Sequence, residues 1–244
     1  MLPGFEYLLN KRNLTKESIK AFHLGYCDEK GFIYVDTDFP DKSLKLDYKF
    51  KNSVIFPICD VYNNLIGVSA RKLDYETNKD LKYVNTVYPK TDHLYGLNLT
   101  WQECLKTRIA YVVEGNMDAI ITYQYGIKNV VGMLGSALKI HQVCLLSRFV
   151  DHIIIVPDGD DAGGHLINRL TGKEISLISG KKRSLSEKRA LIQKYHNLDI
   201  EFSYLKLPSG YDPDKYLFEF GKENFMKLPL VSLNDSLHEG ALHE

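Results

Sequence analysis

The sequence predicts an α/β protein in which a mainly parallel sheet is flanked by helices. From residue 108 onward, short apolar runs alternate with stretches of helical periodicity. The apolar runs are 109–113, 129–134 and 153–156, and the helical stretches are 117–125, 139–149 and 161–171. Alternation of this kind is typical of βαβ units, whose strands lie parallel in one sheet. We therefore expect a parallel sheet covered by helices, with a further helix at 184–196 and a further strand at 202–207.

A smaller mixed α+β subdomain is expected ahead of this sheet. Thr15 is a suitable N-cap for a short helix that directs Ile19 and Phe22 toward a core. Three β-type runs follow, at 32–35, 53–58 and 65–68. Asn63 and Asn64 separate the last two runs and predict the turn of an antiparallel hairpin. Residues 71–95 are polar and without clear periodicity, which is typical of a surface loop or a binding edge.

These patterns divide the chain into three parts. Residues 1–107 are expected to form the amino-terminal α+β subdomain, and residues 108–228 the domain with the parallel sheet. Residues 229–244 are expected to form a flexible tail.

The composition is that of an ordinary globular protein. Of 244 residues, 44% are apolar, and the 31 Lys and Arg balance the 31 Asp and Glu. Because the net charge gives no sign of a polyanionic partner, nucleic-acid affinity would have to come from a local basic patch. The four cysteines lie far apart, without a Cys-x-x-Cys pair or a histidine at ligand spacing, so we expect reduced thiols and no zinc. No apolar stretch approaches the roughly 20 residues of a membrane span, and we expect a cytoplasmic protein without a signal peptide.

Two acidic clusters follow predicted buried strands. Glu114 and Asp118 come directly after the run 109–113, and Asp158 and Asp160 come directly after the run 153–156. The carboxyl ends of parallel strands meet at one edge of a sheet, so these carboxylates can converge. Converging carboxylates repel one another unless a cation is present, and an all-oxygen site favours Mg²⁺ or Mn²⁺. The clusters predict a divalent-metal site that handles phosphates, whereas either cluster alone would be ordinary turn chemistry.

Several motifs together carry a family resemblance. They are Glu-Gly-Asn-Met-Asp at 114–118, Leu-Gly-Ser at 134–136, Asp-Gly-Asp-Asp-Ala-Gly at 158–163 and Leu-Pro-Ser-Gly-Tyr-Asp-Pro-Asp at 207–214. Upstream are Phe-Pro-Ile at 56–58, Arg71, Lys-Tyr-Val-Asn at 82–85, Lys90 and Leu-Tyr-Gly-Leu at 94–97. In this order they resemble the catalytic region of bacterial DnaG-type primases, over roughly residues 5–226. The core of these primases is the TOPRIM fold, which has a Glu after one strand and Asp-x-Asp after a later one.

The resemblance implies DNA-directed synthesis of RNA primers on single-stranded DNA during replication, by metal-dependent nucleotidyl transfer from ribonucleoside triphosphates. It implies that Glu114, Asp158 and Asp160 are catalytic metal ligands for two or more Mg²⁺ or Mn²⁺ ions, with Glu114 also the candidate general base. Supporting acids would be Asp118, on the same helix start as Glu114, and Asp212 and Asp214, on an extended turn around Pro213. Residues implied to bind nucleotide or template are Arg71, Lys82, Asn85 and Lys90.

The chain also departs from the usual pattern of this family. A zinc ribbon usually precedes the catalytic region and a helicase-binding domain usually follows it, and neither pattern is present in this sequence. A phage- or plasmid-type primase, served by a separate replicative helicase and a separate zinc-binding primase subunit, would explain this. A catalytic fragment of a longer primase would explain it equally.

Three other classes compete with primer synthesis. A TOPRIM nuclease would use the same acids to cleave phosphodiesters, but it needs no cradle for a nucleoside triphosphate at residues 53–97. A non-catalytic single-strand binding module would not require the complete acidic set. A topoisomerase would need further domains to carry its tyrosine.

Overall fold

The computed structural model describes residues 2–35, 40–74, 81–135, 138–159 and 199–233. Asp160 and the helices predicted at 161–171 and 184–196 lie outside the described residues. The chain forms two compact units, Met1–Tyr88 and Pro89–Glu244. The subdomain boundary at residue 107 stays a prediction.

The first unit begins with short helices. Helix α1 (Pro3–Glu6) continues into a π-helical turn (Tyr7–Lys11), and α2 spans Lys16–Ala21. As predicted, Thr15 is the N-cap of α2, and its Oγ1 accepts a hydrogen bond from the Ser18 backbone N–H at 3.2 Å. Ile19 and Phe22 are buried, so α2 packs through the face that the sequence predicts.

The first unit contains a six-stranded antiparallel sheet in the order β3-β2-β1-β4-β5-β6. Its strands are β1 (Gly25–Cys27), β2 (Phe32–Val35), β3 (Pro40–Lys45), β4 (Ser53–Cys59), β5 (Leu65–Lys72) and β6 (Tyr83–Asn85). The β4–β5 hairpin confirms the prediction, and Asn63 in its turn has a φ of 68°. Strands β1, β3 and β6 were not predicted.

A compact apolar core supports this sheet. Phe50, Ile55, Cys27 and Ala70 pack together, and Phe50 is only 2% exposed. Burial of a large apolar side chain contributes about 1.5–3 kcal/mol to folding. The core therefore gives the β4–β5 hairpin a rigid support.

The second unit contains a five-stranded sheet in the order β11-β10-β9-β7-β8. Its strands are β7 (Ile109–Val113), β8 (Val130–Gly132), β9 (His152–Val156), β10 (Glu201–Leu205) and β11 (Leu230–Ser232). Strands β8, β7, β9 and β10 are parallel, as predicted, and β11 pairs antiparallel with β10 at the edge. The residues from Ala110 to Val113 and from Ile153 to Val156 are buried, which explains their continuous apolar runs.

The flexible tail predicted from residue 229 is wrong for its first residues. Residues 230–232 form β11, and the Leu233 backbone N–H donates to Phe202 O at 2.8 Å. Leu233 is only 3% exposed, so burial of one apolar side chain and pairing with β10 together hold this segment in place. Residues 234–244 lie outside the described part of the chain.

Four described helices belong to the second unit. They are α3 (Leu97–Thr107), α4 (Asn116–Gln124), α5 (Ile140–Leu146) and α6 (Pro213–Phe225). Helix α4 packs against α6 and β8, and Gly126, with a φ of 87°, follows its end as predicted. Helices α4 and α5 were predicted from the sequence, whereas α3 and α6 were not. Within the described ranges, no helix has both the length and the apolar character to cross a membrane.

Candidate active site

Two of the predicted acids follow neighbouring strands of the parallel sheet. Val113 at the end of β7 lies opposite Val156 at the end of β9. Glu114 is therefore one residue and Asp158 two residues beyond a shared register position, on strands that are about 4.8 Å apart. One carboxylate oxygen of each residue, Glu114 Oε1 and Asp158 Oδ1, is buried. The predicted convergence of two strand ends is thus present in the structure.

Asp118 lies in the first turn of α4 and has a structural role. Its Oδ2 accepts a hydrogen bond from the Gly115 backbone N–H at 3.0 Å, which caps the start of the helix. Glu114 precedes the N-cap residue Gly115, so it lies at the junction between strand and helix and not on the helix itself. The expectation that both acids share a helix start is corrected in this respect.

The charge environment of Asp118 includes three other aspartates. Burial raises the pKa of Asp118 to about 7. The negative charges of three other carboxylates add to this effect, in decreasing order Asp214, Asp158 and Asp212. The hydrogen bond from Gly115 N–H opposes them only in part. We call these four residues the aspartate cluster.

A tight backbone contact joins the Asp158 loop to the segment that carries the last two acids. The Gly159 N–H donates to Tyr211 O at 2.7 Å, and the Gly210 N–H donates to Gly159 O at 3.3 Å. A Cβ atom at position 159 would lie 2.2 Å from Pro208 O, so only glycine allows this approach. The contact explains how residues 208–214 reach the carboxyl end of β9.

Asp212 and Asp214 lie at the start of α6 and not on an extended turn, which corrects the prediction. Asp212 is the N-cap, and its Oδ1 accepts from the Lys215 backbone N–H at 2.9 Å. Pro213 occupies the first helical position, where its missing N–H costs nothing. The Asp-Pro pair is a helix-start signal that the sequence analysis interpreted as a turn.

The donor chemistry of this edge fits a hard divalent cation. Glu114 and the aspartate cluster supply only carboxylate oxygens, which Mg²⁺ and Mn²⁺ prefer. Burial first, and the neighbouring carboxylates second, raise the pKa of Asp118, and a cation would offset the negative charge that these neighbours contribute. Within the described residues, however, no group of three or more His, Cys, Asp or Glu is arranged to hold an ion. Asp160 is outside the described part, so a shared site of Glu114, Asp158 and Asp160 stays a prediction.

Three of the predicted nucleotide- or template-binding residues lie on the β5–β6 edge of the first unit. Arg71 on β5 pairs with Tyr83 on β6, and Asn85 ends β6 opposite Ser69. The Arg71 guanidinium lies 5.6 Å from the Tyr7 ring centre and 5.5 Å from that of Tyr83. Its Nη1 also donates to Tyr83 Oη at 3.2 Å, so the side chain is held between two aromatic rings.

Lys82 and Asn85 take different positions on this edge. Lys82 is exposed directly before β6, and its carbonyl accepts from the Lys72 N–H at 3.1 Å. Asn85 is half-buried, and side chains at 83 and 85 point to the same face because the period of a strand is two residues. Residues 71–95 therefore include the edge strand of this sheet, and binding at this edge stays a prediction.

Lys90 belongs to the second unit, in a single 3₁₀ turn (Lys90–Asp92). This turn is held by Gln142 on α5, whose Nε2 donates to Lys90 O at 3.1 Å. Neither Gln142 nor Tyr7 was predicted from the sequence to belong to the site. No local pattern identifies Gln142, because the capping box that places a Gln three residues after the N-cap begins with Ser or Thr, whereas the N-cap here is Lys139.

Two protein families match the chain. The Toprim domain matches residues 108–182, and the DNA primase catalytic core, N-terminal domain, matches residues 3–100. The DNA primase of Clostridium acetobutylicum is 32% identical over 239 residues, which covers 91% of this chain and 36% of that primase. The chain spans 34% to 38% of the length of the curated relatives that it matches.

Solved structures that are similar to this chain are also primase domains. The zinc binding and RNA polymerase domains of the Aquifex aeolicus primase match with a TM-score of 0.70 and 26% identity, over 94% of this chain and 57% of that one. A DnaG primase catalytic domain bound to single-stranded DNA matches with a TM-score of 0.69 and 25% identity, over 98% of this chain and 75% of that one.

Proposed function

Since the chain belongs to the family of DnaG-type primase catalytic cores, we propose that it catalyses template-directed synthesis of RNA primers on single-stranded DNA. The relatives are named DNA primases, and one of the similar catalytic domains is bound to single-stranded DNA. The observation that carries the proposal is that β7 and β9 end side by side, so that Glu114 and Asp158 follow neighbouring strands at the carboxyl edge of the parallel sheet.

The chemistry of primer extension explains why acids are needed there. A 3′-hydroxyl attacks the α-phosphorus of a nucleotide, and negative charge grows on the phosphoryl oxygens and on the departing pyrophosphate. Two or more Mg²⁺ or Mn²⁺ ions, bound by Glu114, Asp158 and Asp160, would offset this charge. Asp118, Asp212 and Asp214 would complete the ligand set.

Glu114 has a second role in this proposal. It follows the buried strand β7 directly, so its backbone is fixed, and its Oε1 is shielded from bulk water. A carboxylate in that position can accept the proton of the attacking hydroxyl.

Basic and amide side chains would hold the substrates. Arg71, Lys82 and Asn85 would bind template or nucleotide on the first unit, and Lys90 would bind nucleotide phosphates on the second. The Arg71 guanidinium supports this role because the rings of Tyr7 and Tyr83 hold it in one orientation. An oriented guanidinium binds phosphate with little loss of entropy. The exposed Tyr83 could also stack on an unpaired base.

The nuclease alternative is not favoured. A nuclease would account for the acids, but it would not explain why residues 3–100 match the amino-terminal domain of the primase core.

The proposal is tested by incubating the protein with single-stranded DNA, ribonucleoside triphosphates and Mg²⁺ or Mn²⁺, and resolving the products by size. Oligoribonucleotides support it, whereas shortened DNA without them supports the nuclease. We expect Glu114→Ala and Asp158→Ala to abolish synthesis while circular dichroism shows an intact fold. Normal turnover by either variant would refute the site assignment.

A further inference from the structure

Gln142 is a buried carboxamide that joins three segments of the second unit. It lies on α5 and is only 1% exposed. Its Oε1 accepts from the Lys139 backbone N–H at 2.9 Å. Its Nε2 lies within hydrogen-bond distance of three backbone carbonyls, Lys90 at 3.1 Å, His93 at 2.8 Å and Met133 at 2.7 Å. A carboxamide nitrogen carries two hydrogens, so the three carbonyls share two donors.

One of these carbonyls connects Gln142 to the acids. The Met133 N–H donates to Val113 O at 3.0 Å, and Val113 directly precedes Glu114. A continuous path of hydrogen bonds therefore runs from the end of β7, through Met133 and Gln142, to the turn that carries Lys90. Every group on this path is backbone except the Gln142 side chain.

A second side-chain contact holds the same turn, but it is weaker. His141 Nδ1 lies 2.8 Å from Asp92 Oδ1, and both side chains are largely exposed. Exposed ion pairs hold geometry poorly because solvent screens them. The buried Gln142 therefore holds the Lys90–Asp92 turn better than the exposed His141–Asp92 contact does.

We propose that Gln142 is a positioning residue, which sets the distance between Lys90 and the acids so that nucleotide phosphates held at Lys90 face the catalytic edge. This inference rests on the proposed function, since Lys90 is taken to bind nucleotide. Gln142 itself touches no substrate. Its loss would allow the turn to shift, and nucleotide binding would weaken while the acids kept their places.

The chain offers a matched control at the amino ends of the strands of the same sheet, opposite the acids. Asn129 is also a buried carboxamide, and its Nδ2 donates to Ile109 O at 2.9 Å and to Thr107 Oγ1 at 3.2 Å. Because Ile109 is the first residue of β7, Asn129 holds the end of this strand that lies away from the acids. A residue with only a structural role would behave as Asn129 does.

The experiment compares Gln142→Leu, Gln142→Glu and Asn129→Leu, each in the wild-type and the Lys90→Ala background. Gln142→Glu keeps the acceptor for Lys139 N–H but turns an oxygen toward the three carbonyls, and it serves if the leucine variant does not fold. Two quantities are measured on folded protein with Mg²⁺ present. They are the Kd of a non-hydrolysable ribonucleoside triphosphate and the KM and kcat of primer synthesis.

We expect both Gln142 variants to raise Kd and KM roughly ten- to a hundredfold, with a smaller change in kcat. In the Lys90→Ala background the two Gln142 substitutions should raise Kd and KM little further, because their effect is exerted through Lys90. Asn129→Leu should lower Tm but leave Kd unchanged.

Unchanged Kd in both Gln142 variants, or equal effects with and without Lys90, would overturn the inference. A wild type that binds nucleotide but makes no primer would refute the proposed function alone, since Kd would still decide the role of Gln142. A wild type that binds no nucleotide would refute both.

Discussion

Asp118 shows how one side chain can serve both the fold and the site. It caps α4 through Gly115, yet its carboxyl group lies among three other aspartates. Its pKa of about 7, against an ordinary value of about 3.9, means that the folded protein holds this proton more tightly than the unfolded chain does. The stability that this proton contributes is present below about pH 4 and is lost as the pH rises through about 7.

Asp118→Asn should therefore stabilise the metal-free protein at pH 8. Asparagine keeps an oxygen for the Gly115 N–H and removes a buried negative charge. We expect Tm to rise by at least about 2–4 °C, the shift that corresponds to about 1 kcal/mol in a chain of this size. At pH 5 the gain should be smaller, because Asp118 is then protonated.

The control for this change is Asp199→Asn, at an exposed position before β10. It removes the same formal charge and should leave Tm within about 1 °C, as surface substitutions usually do. A Tm for Asp118→Asn at or below that of the wild type at pH 8 would contradict the charge environment described for Asp118.

The close backbone contact at Gly159 leads to a second prediction. Gly159→Ala would bring a Cβ 2.2 Å from Pro208 O and 2.8 Å from Tyr211 O, and both are backbone atoms that cannot move alone. The Asp158 loop should separate from residues 208–212, and Mg²⁺ should then raise Tm much less than in the wild type. Differential scanning fluorimetry with and without Mg²⁺ measures this.

Gly210→Ala is the matched control in the same contact. Gly210 has a φ of 82°, so alanine there is strained, but its Cβ would meet nothing within 4 Å. It should cost about 1 kcal/mol of stability and retain the Mg²⁺ response. If both variants respond to Mg²⁺ as the wild type does, the contact does not position the acids.

The residues at the site were predictable to different degrees. Glu114 and Asp158 could be identified because each follows a long apolar strand, and the parallel register places both at one edge. The helix start at Asp212 was misinterpreted, because an Asp-Pro pair is equally typical of turns. Gln142 could not be identified, because its three carbonyl partners lie 9 to 52 residues away in the sequence.

At the scale of elements, the sequence predicted those whose burial pattern is local. Strands β7 and β9 are buried on both faces and appear as continuous apolar runs. The three-residue strands β1 and β6 could not be predicted, because their conformation depends on partners distant in sequence. The same reason applies to β11, which exists through its pairing with β10 and the burial of Leu233.

The role of β11 can be tested with a pair of leucine substitutions. Leu233→Ala, at a position 3% exposed, should lower the free energy of unfolding by about 2–4 kcal/mol. Leu230→Ala, at a position 50% exposed at the start of β11, should change it by less than about 1 kcal/mol. Urea denaturation measures both, and equal effects would show that this segment does not pack as described.

At the scale of the whole molecule, the proposed roles are divided between the two units. The acids and Lys90 belong to the second unit, whereas Arg71, Lys82 and Asn85 belong to the first. Substrate binding and metal binding should therefore respond to different substitutions.

Lys82→Ala should weaken nucleotide use without affecting metal binding. Loss of one charged contact to a phosphate corresponds to roughly a tenfold rise in KM. Lys30→Ala, which removes another exposed lysine of the first unit, is the control and should leave KM unchanged. An unaltered KM in Lys82→Ala, or a reduced Mg²⁺ response, would contradict this division of roles.

The most direct test of the account is a crystal structure determined in Mn²⁺, with the ions located by anomalous scattering. The account predicts an anomalous peak within about 2.0–2.6 Å of carboxylate oxygens from Glu114, Asp158 and Asp160 together. Well-ordered acids without such a peak, or a peak bound by none of the three, would contradict it.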